Sequence, residues 1–408
     1  MLTCSLEKTM GSGIGSIMKI LFVTENMPVP AIAGSSQRTS IILRALMEQY
    51  HVDVFLLRGL KESEFLISSG YSVVGNFDNS DQLPFGSELL KALFPLRDYS
   101  PKPSIAHRVK QVFDNGNYDL VIGRYVRPSL ISGLASIGKS IIDVDDVDLS
   151  SIKNRINAPQ TSWLLKSVLK YRLHVLNKHF SNLLSTYKGL FIASEQDRSL
   201  IDHKNMHVLP NISYNTPTQN VDIGPSVSET LLWVGSFNHR VNLDGLDTFI
   251  SNDWLKLLKR CPTAILRVVG SHLPEGAAAK WRAVENVEVV GFVEDLEEEY
   301  REAAFSVVPL WDGAGTKIKV LESFMFKRTA VVTKHAARGF DLFEDGQALM
   351  IANSNEDFVN KAVELLENTE RRQTMEQTAQ VIVEQNYSFS SVKTAVKNAI
   401  ESVDAASE

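Results

Sequence analysis

VVPLWDGAGTKIKVLESFM, residues Val307–Met325, is the stretch on which the rest of the sequence turns. Its start, Val307-Val308-Pro309-Leu310, closes an apolar run of the kind that forms a buried parallel strand. A glycine-spaced segment follows, Asp312-Gly313-Ala314-Gly315-Thr316, and beyond it Ile318, Leu321 and Met325 recur at i, i+3 and i+7, the spacing of one helix face. The pattern predicts strand, glycine loop, helix. Such a junction aims backbone N–H groups and the positive end of a helix dipole at one point, and that point favours an anion, most often phosphate. Lys317 adds a fixed positive charge there. Glu322 falls near the packed face, where a carboxylate needs a partner, and a pair of sugar hydroxyls is one candidate. The plainer alternative is a glycine turn feeding a capped helix, with Lys317 and Glu322 in solvent.

The same alternation continues on either side. Leu231–Ser236, Ala264–Gly270, Val287–Gly291, Phe305–Pro309, Ala330–Thr333 and Ala348–Ile351 read as strands of one α/β unit. Before them, residues 211–229 are rich in Pro, Ser, Thr and Asn, and read as a linker. Upstream lies a second α/β unit: a strand at Lys19–Thr24, a loop from Pro28 to Ser36, a helix marked by Ile42, Leu46 and Tyr50, and a strand at His51–Leu57. Gly34, Ser35 and Arg38 sit after the first strand, where ligands of open α/β sheets bind; a helix N-cap made by Ser35 or Ser36 accounts equally for the loop. Residues 58–117 carry few regular signals. Tyr118–Gly123 and Ser140–Val144 resume as strands, the second ending in Asp145, Asp146 and Asp148, carboxylates able to position a hydroxyl, act as a base, hold a metal or simply cap a helix. Residues 160–187 form a basic amphipathic helix in which Trp163, Leu164, Val168, Tyr171, Leu176 and Phe180 alternate with Lys166, Lys170, Arg172, Lys178 and His179. A solvated face over a core is the favoured reading, and contact with an anionic membrane is the other. Leu190–Ser194 and Val208–Pro210 complete this half. The expected fold is therefore α/β, two doubly wound Rossmann-like domains facing a central cleft.

The totals fit this. A chain of 408 residues, 44% apolar and 22% charged, has the length of two or three ordinary domains. A net charge of −6 argues against nucleic acid as a partner. Cys4 and Cys261 give neither a disulfide framework nor metal-ligand spacing. No run of 18 apolar residues occurs, and residues 1–17 read as a poorly ordered leader and not a secretory signal, with Met18 an alternative start. Gly11, Gly13 and Gly15 precede the first strand, whereas a dinucleotide fingerprint follows it. The expected location is the cytoplasm, with the inner face of the membrane as the place the basic helix would add.

The run Gly313-Ala314-Gly315-Thr316-Lys317-Ile318-Lys319-Val320-Leu321-Glu322 resembles the G-x-G-T-[KR]-x-K-x-L-E run of the retaining glycosyltransferases of family four, the group one class with the GT-B fold. Val234–Asn238 and Asp341–Ala352 are similar to segments that flank the site in that family, and the resemblance covers nearly the whole chain beyond residue 17, more loosely in the N-terminal half. It implies an acceptor domain at 18–210, a linker at 211–229, a donor-nucleotide domain at 230–386 and a C-terminal helix at 387–408 that crosses back onto the first domain. It implies a nucleotide diphosphate sugar as donor substrate, no cofactor and no metal, and a glycan, lipid-linked or small-molecule acceptor. Glu322 would bind the ribose hydroxyls. Lys317 and Arg240 would neutralise the diphosphate, in a cradle formed by Gly34, Ser35, Gly235, Gly313, Gly315 and Thr316. Two departures stand out. Where many members carry a glutamate this chain has Ala314, and where many carry a histidine after the strand matched by Ile141–Val144 it has Asp145 and Asp146, so these two are the candidates at the sugar end. A nucleotide-sugar epimerase on the same fold and a non-catalytic α/β binding scaffold are the alternative readings.

Overall fold

A computed structural model of the chain describes residues 17–31, 34–78, 94–145, 149–157, 161–214, 224, 228–313 and 316–405. The expected leader at 1–17 lies, but for Ile17, outside them.

Within the described residues the N-terminal half builds a seven-stranded sheet from β1 (Lys19–Thr24), β2 (His51–Leu56), β3 (Val73–Asn76), β4 (Leu120–Arg124), β5 (Ser140–Val144), β6 (Gly189–Ile192) and β7 (Met206–Val208). The order is β3-β2-β1-β4-β5-β6-β7, and each neighbouring pair is parallel. The apolar runs explain the inner strands: Ile20, Leu21, Phe22 and Val23 are all fully buried, as a strand covered on both faces requires. The second half builds a six-stranded parallel sheet, β10-β9-β8-β11-β12-β13, from β8 (Thr230–Val234), β9 (Ile265–Val269), β10 (Val287–Gly291), β11 (Phe305–Val308), β12 (Ala330–Thr333) and β13 (Met350–Ala352). In each sheet the chain winds outward on one side and then starts again on the other, so β1/β4 and β8/β11 are the two topological switch points.

Several local expectations change. Residues 58–117 hold regular elements after all: a helix at Leu60–Ser68, the edge strand β3, a 3₁₀ turn at Pro95–Tyr99 and a helix at Pro103–Gly116. They were hard to read because β3 is a half-exposed edge and because, of the 14 residues of Pro103–Gly116, the fully buried side chains are Ile105 and Val109. The first helix starts at Gly34, so Ser35 and Ser36 lie inside its first turn and are not its cap. The basic helix runs from Trp163 to Leu184, with the Ser162 hydroxyl accepting from the Leu165 N–H at 3.4 Å. No helix among the described residues is long and apolar enough to cross a membrane.

The C-terminal helix, Phe389–Ala405, lies on the N-terminal half, against the helix Gly34–Met47 and the strands β6 and β7. Val392, Val396, Ile400 and Val403 recur at helical spacing and are buried in the same core as Ile20 and Phe22. Lys393 pairs with Glu48 at 2.8 Å and Lys139 with Asp404 at 2.6 Å on the rim. Just before the helix, Tyr387 meets Phe340 and Phe343 of the second half, with ring centroids 6.3 and 5.4 Å away. The helix thus ties the two halves together. Ile400→Ala should lower stability by roughly 2–5 kcal/mol, a core truncation, while Lys393→Ala should cost about 1 kcal/mol or less, as an exposed pair does; urea titrations of the two variants check the contrast.

Candidate functional site

Loops following a parallel strand all leave from the same edge of the sheet, so the switch points of the two sheets face each other across one cleft of about 620 Å³. Its walls come, on one side, from the start of the helix Gly34–Met47 that follows β1 (Gly34, Ser35, Gln37, Arg38) and from the residues just after β4 (Tyr125) and β5 (Asp145). On the other they come from the loop after β8 (Gly235, Ser236, His239, Val241, Asn242) and from the stretch after β11 (Gly313, Thr316, Lys317, Lys319, Glu322). Of the residues expected from sequence, Gly34, Ser35, Asp145, Gly235, Gly313, Thr316, Lys317 and Glu322 are brought together here. Asp146 and Gly315, with Ala314, lie outside the described residues.

Arg240 is the exception. It opens the helix Arg240–Phe249, its side chain is 85% exposed, and its Nε donates to Asp244 at 3.1 Å one turn on. It is not among the cleft-lining residues. The cation that takes the half-buried position in the cleft is Lys319, which the sequence reading quoted but did not single out. The helix Ile318–Met325 begins at the cleft with no side chain capping it, and Lys319 and Glu322 stand three residues apart on one face. The Lys319 ammonium lies 4.1 Å from the Trp233 ring centroid and donates to Asn242 Oδ1 at 3.2 Å. A Cβ on Gly235 would sit 2.5 Å from Lys319 Nζ, so glycine there leaves the ammonium its room. Burial, together with the nearby Lys317 charge, pushes the Lys319 ammonium down to about 7. Glu322 is buried and accepts from the Tyr300 hydroxyl at 3.1 Å. Gly313 has φ +114°, a conformation suited to glycine, and its carbonyl meets His335 Nε2 at 2.7 Å.

The opposite wall solves a different electrostatic problem. Arg38 grips Asp143 with two donors, Nη2 to Oδ1 at 2.6 Å and Nε to Oδ2 at 3.1 Å, and reaches the Leu209 carbonyl at 2.8 Å with Nη1. Arg124 donates to Asp143 Oδ2 at 2.7 Å and to Asp145 Oδ2 at 2.9 Å. Asn211 donates to Asp145 Oδ1 at 2.9 Å. Two guanidiniums and two carboxylates close on one another, which is what lets them be buried at all. Burial alone would raise the Asp145 carboxyl, but Arg38, Arg124 and Asn211 outweigh it and hold it at about 2. That makes Asp145 a weak proton acceptor and, of the roles open to it, speaks for positioning a hydroxyl over acting as a base. Tyr125, stacked on Arg124 at 3.7 Å, turns its hydroxyl to Asp145 Oδ2 at 3.3 Å. Its φ of +66° is strained for a bulky side chain and is the kind of outlier that collects at functional sites.

Sequence reasoning missed Arg124, Tyr125 and Asn211 along with Lys319. An arginine ending the apolar strand β4 was the available signal for the first, since a charge there needs a buried partner. Asn211 was hidden in a segment read as linker, whose first residues are packed: Ile212 and Ser213 are buried.

Arg124→Met would leave Asp143 and Asp145 short of a partner and should cost roughly 3–5 kcal/mol, measured by urea denaturation. Because the folded-state Asp145 value lies below the ordinary 3.8, its stabilisation is complete above about pH 4 and is lost as pH falls through about 2. Asp145→Asn should accordingly flatten the acid limb of the stability profile between those values.

Part of the chain matches a known family. Residues 228–368 match the family described as Glycosyl transferases group 1. No curated protein sequence matches the chain. Among solved structures, sucrose-phosphate synthase from Thermosynechococcus elongatus superposes with a TM-score of 0.65 at 13% identity, covering 95% of this chain and 100% of that one. A glycosyltransferase from Rickettsia africae gives 0.63 at 13% identity, over 95% and 99% of the two chains. HepE from Anabaena, in complex with UDP and glucose, gives 0.59 at 15% identity over 94% and 100%. At such identities these likenesses speak for the fold, and the matched segment speaks for the family. The C-terminal segment 228–368 thus carries the likeness to group 1 glycosyltransferases, and the chain as a whole has the two-domain GT-B fold.

Proposed function

We propose that the cleft transfers a sugar from a nucleoside diphosphate sugar to a hydroxyl of a glycan, lipid-linked or small-molecule acceptor, with retention at the anomeric carbon and with lysine cations instead of a metal ion facing the leaving group. The observation that carries this is the cluster at the second switch point: Lys317 and Lys319 beside the uncapped start of the helix Ile318–Met325, with the buried carboxylate of Glu322 on the same helix face. Breaking the bond between the anomeric carbon and the phosphate oxygen leaves the electron pair on the diphosphate. Two ammoniums and a helix N-terminus stabilise that charge in a cleft with little water. On the same face Glu322 would accept from the ribose hydroxyls. The helix start at Gly34 faces the diphosphate from the other domain, and the acceptor hydroxyl attacks from the leaving-group side, passing its proton to the departing phosphate oxygen. Asp145, kept ionised by its arginines, would orient the sugar or acceptor and not take that proton. HepE, crystallised with UDP and glucose, makes uridine diphosphate sugars the first donors to try.

The test is to incubate the protein with nucleoside diphosphate sugars and candidate acceptors in the presence of a chelator, and to follow nucleoside diphosphate release together with the anomeric configuration of the product. Release with a retained α-linkage from an α-donor is expected. Isomerised donor without any acceptor would point to an epimerase, and strict dependence on a divalent ion would overturn the role given to the lysines. Lys319→Met should reduce turnover by about 10²-fold or more. Since an anion beside Lys319 favours its protonated form, donor binding should take up a proton above about pH 7 and weaken as pH rises further. Calorimetry in buffers of different ionisation heat reads this uptake, which Lys319→Met should abolish.

A further inference from the structure

Residues 149–194 contain seven Lys or Arg (Lys153, Arg155, Lys166, Lys170, Arg172, Lys178, Lys188) and not one Asp or Glu, in a chain that carries 48 acidic residues and a net charge of −6. This one-signed segment includes the helix Trp163–Leu184, whose fully buried residues are Leu169, Leu176, Phe180 and Leu184. The opposite face is outward: Trp163, Leu164, Ser167, Lys170, Tyr171, His174, Asn177 and Lys178 are all exposed, and at 100° per residue they fall within about 140° of arc. Three large apolar side chains lie on that face in water, Trp163 at 79%, Leu164 at 55% and Tyr171 at 52% exposure. Beside the helix packs the turn Pro95–Tyr99, preceded by Phe94, itself 58% exposed. The acidic residue of that turn, Asp98, is engaged by Arg172 at 3.4 Å.

We infer that this face is a docking surface for an anionic lipid bilayer. Singly exposed apolar residues are ordinary, but Trp163, Leu164 and Tyr171 gathered on a carboxylate-free helix face among lysines are not. Tryptophan and tyrosine settle at the level of lipid headgroups, where an amphipathic ring finds both media, and lysines beside them meet anionic phosphates. The charge pattern selects a negative surface, since residues 149–194 carry seven cations and no carboxylate in a chain that is otherwise acidic. The inference stands independently of sugar transfer, because partition onto a bilayer needs no turnover and none of these residues lines the cleft.

Flotation of the full chain with phosphatidylcholine vesicles, with and without about 30 mol % phosphatidylglycerol, tests it. The protein should float with the anionic vesicles, stay behind with the neutral ones, and be released by about 1 M salt. Lys170→Glu with Lys178→Glu should weaken partition by about 30-fold or more. Trp163→Ser with Leu164→Ser should weaken it at low salt as well, and both double variants should keep the parent melting temperature, since the altered side chains are exposed. Failure to float with anionic vesicles, or equal flotation of parent and folded variants, would overturn the assignment. So would a parent that ignores vesicles but binds polyuridylate through this face, or one that is a dimer which the double variants split.

Discussion

A parallel sheet sends the carboxyl end of every strand to one edge, and at a switch point two neighbouring loops leave that edge in opposite directions and open a crevice. This chain has two such sheets with two such crevices, between β1 and β4 and between β8 and β11, and they face each other. The position of the central cleft residues follows from that. Gly34 and Tyr125 follow the strands of the first crevice, while Gly235 and the Gly313-to-Glu322 stretch follow those of the second.

Within this common geometry the two walls differ in charge. The first wall spends its cations internally: Arg38 and Arg124 are consumed by Asp143 and Asp145, and the result is a rigid, neutral floor. The second wall leaves Lys317 and Lys319 at the head of a helix, with the carboxylate of Glu322 further along it. In the proposed reading an anion entering the cleft would be drawn to the second domain, where it would favour the charged form of Lys319 that burial and Lys317 disfavour. The two walls are linked by the C-terminal helix, whose apolar face is buried with the first domain while the preceding Tyr387 packs on Phe340 and Phe343 of the second.

Much of this was legible in the chain. Apolar runs such as Ile20–Val23 and Val307-Val308 gave the buried strands because a doubly covered strand must be apolar throughout. The glycine-spaced run before Ile318 marked the anion site because its own neighbours build it. What escaped were features made by partners distant in sequence. Arg38 and Asp143 are 105 residues apart and Asn211 and Asp145 are 66 apart, so no local spacing reveals either bond. Arg240 and Lys319 show the same limit from the other side: both are cations beside glycine loops, and only packing shows that one points to solvent and the other lies over Trp233. Edge elements such as β3, half in water, lack the pattern that burial writes into a sequence.

The central claim is that the lysines at the head of the helix Ile318–Met325 recognise a diphosphate. The most direct measurement compares, by titration calorimetry, the binding of uridine and of uridine diphosphate to the parent and to a Lys317→Ala, Lys319→Met double variant. The account predicts that the parent strongly prefers the diphosphate and that the variant binds the two almost alike, with uridine affinity retained through Glu322. An undiminished preference for the diphosphate in the folded variant would contradict it.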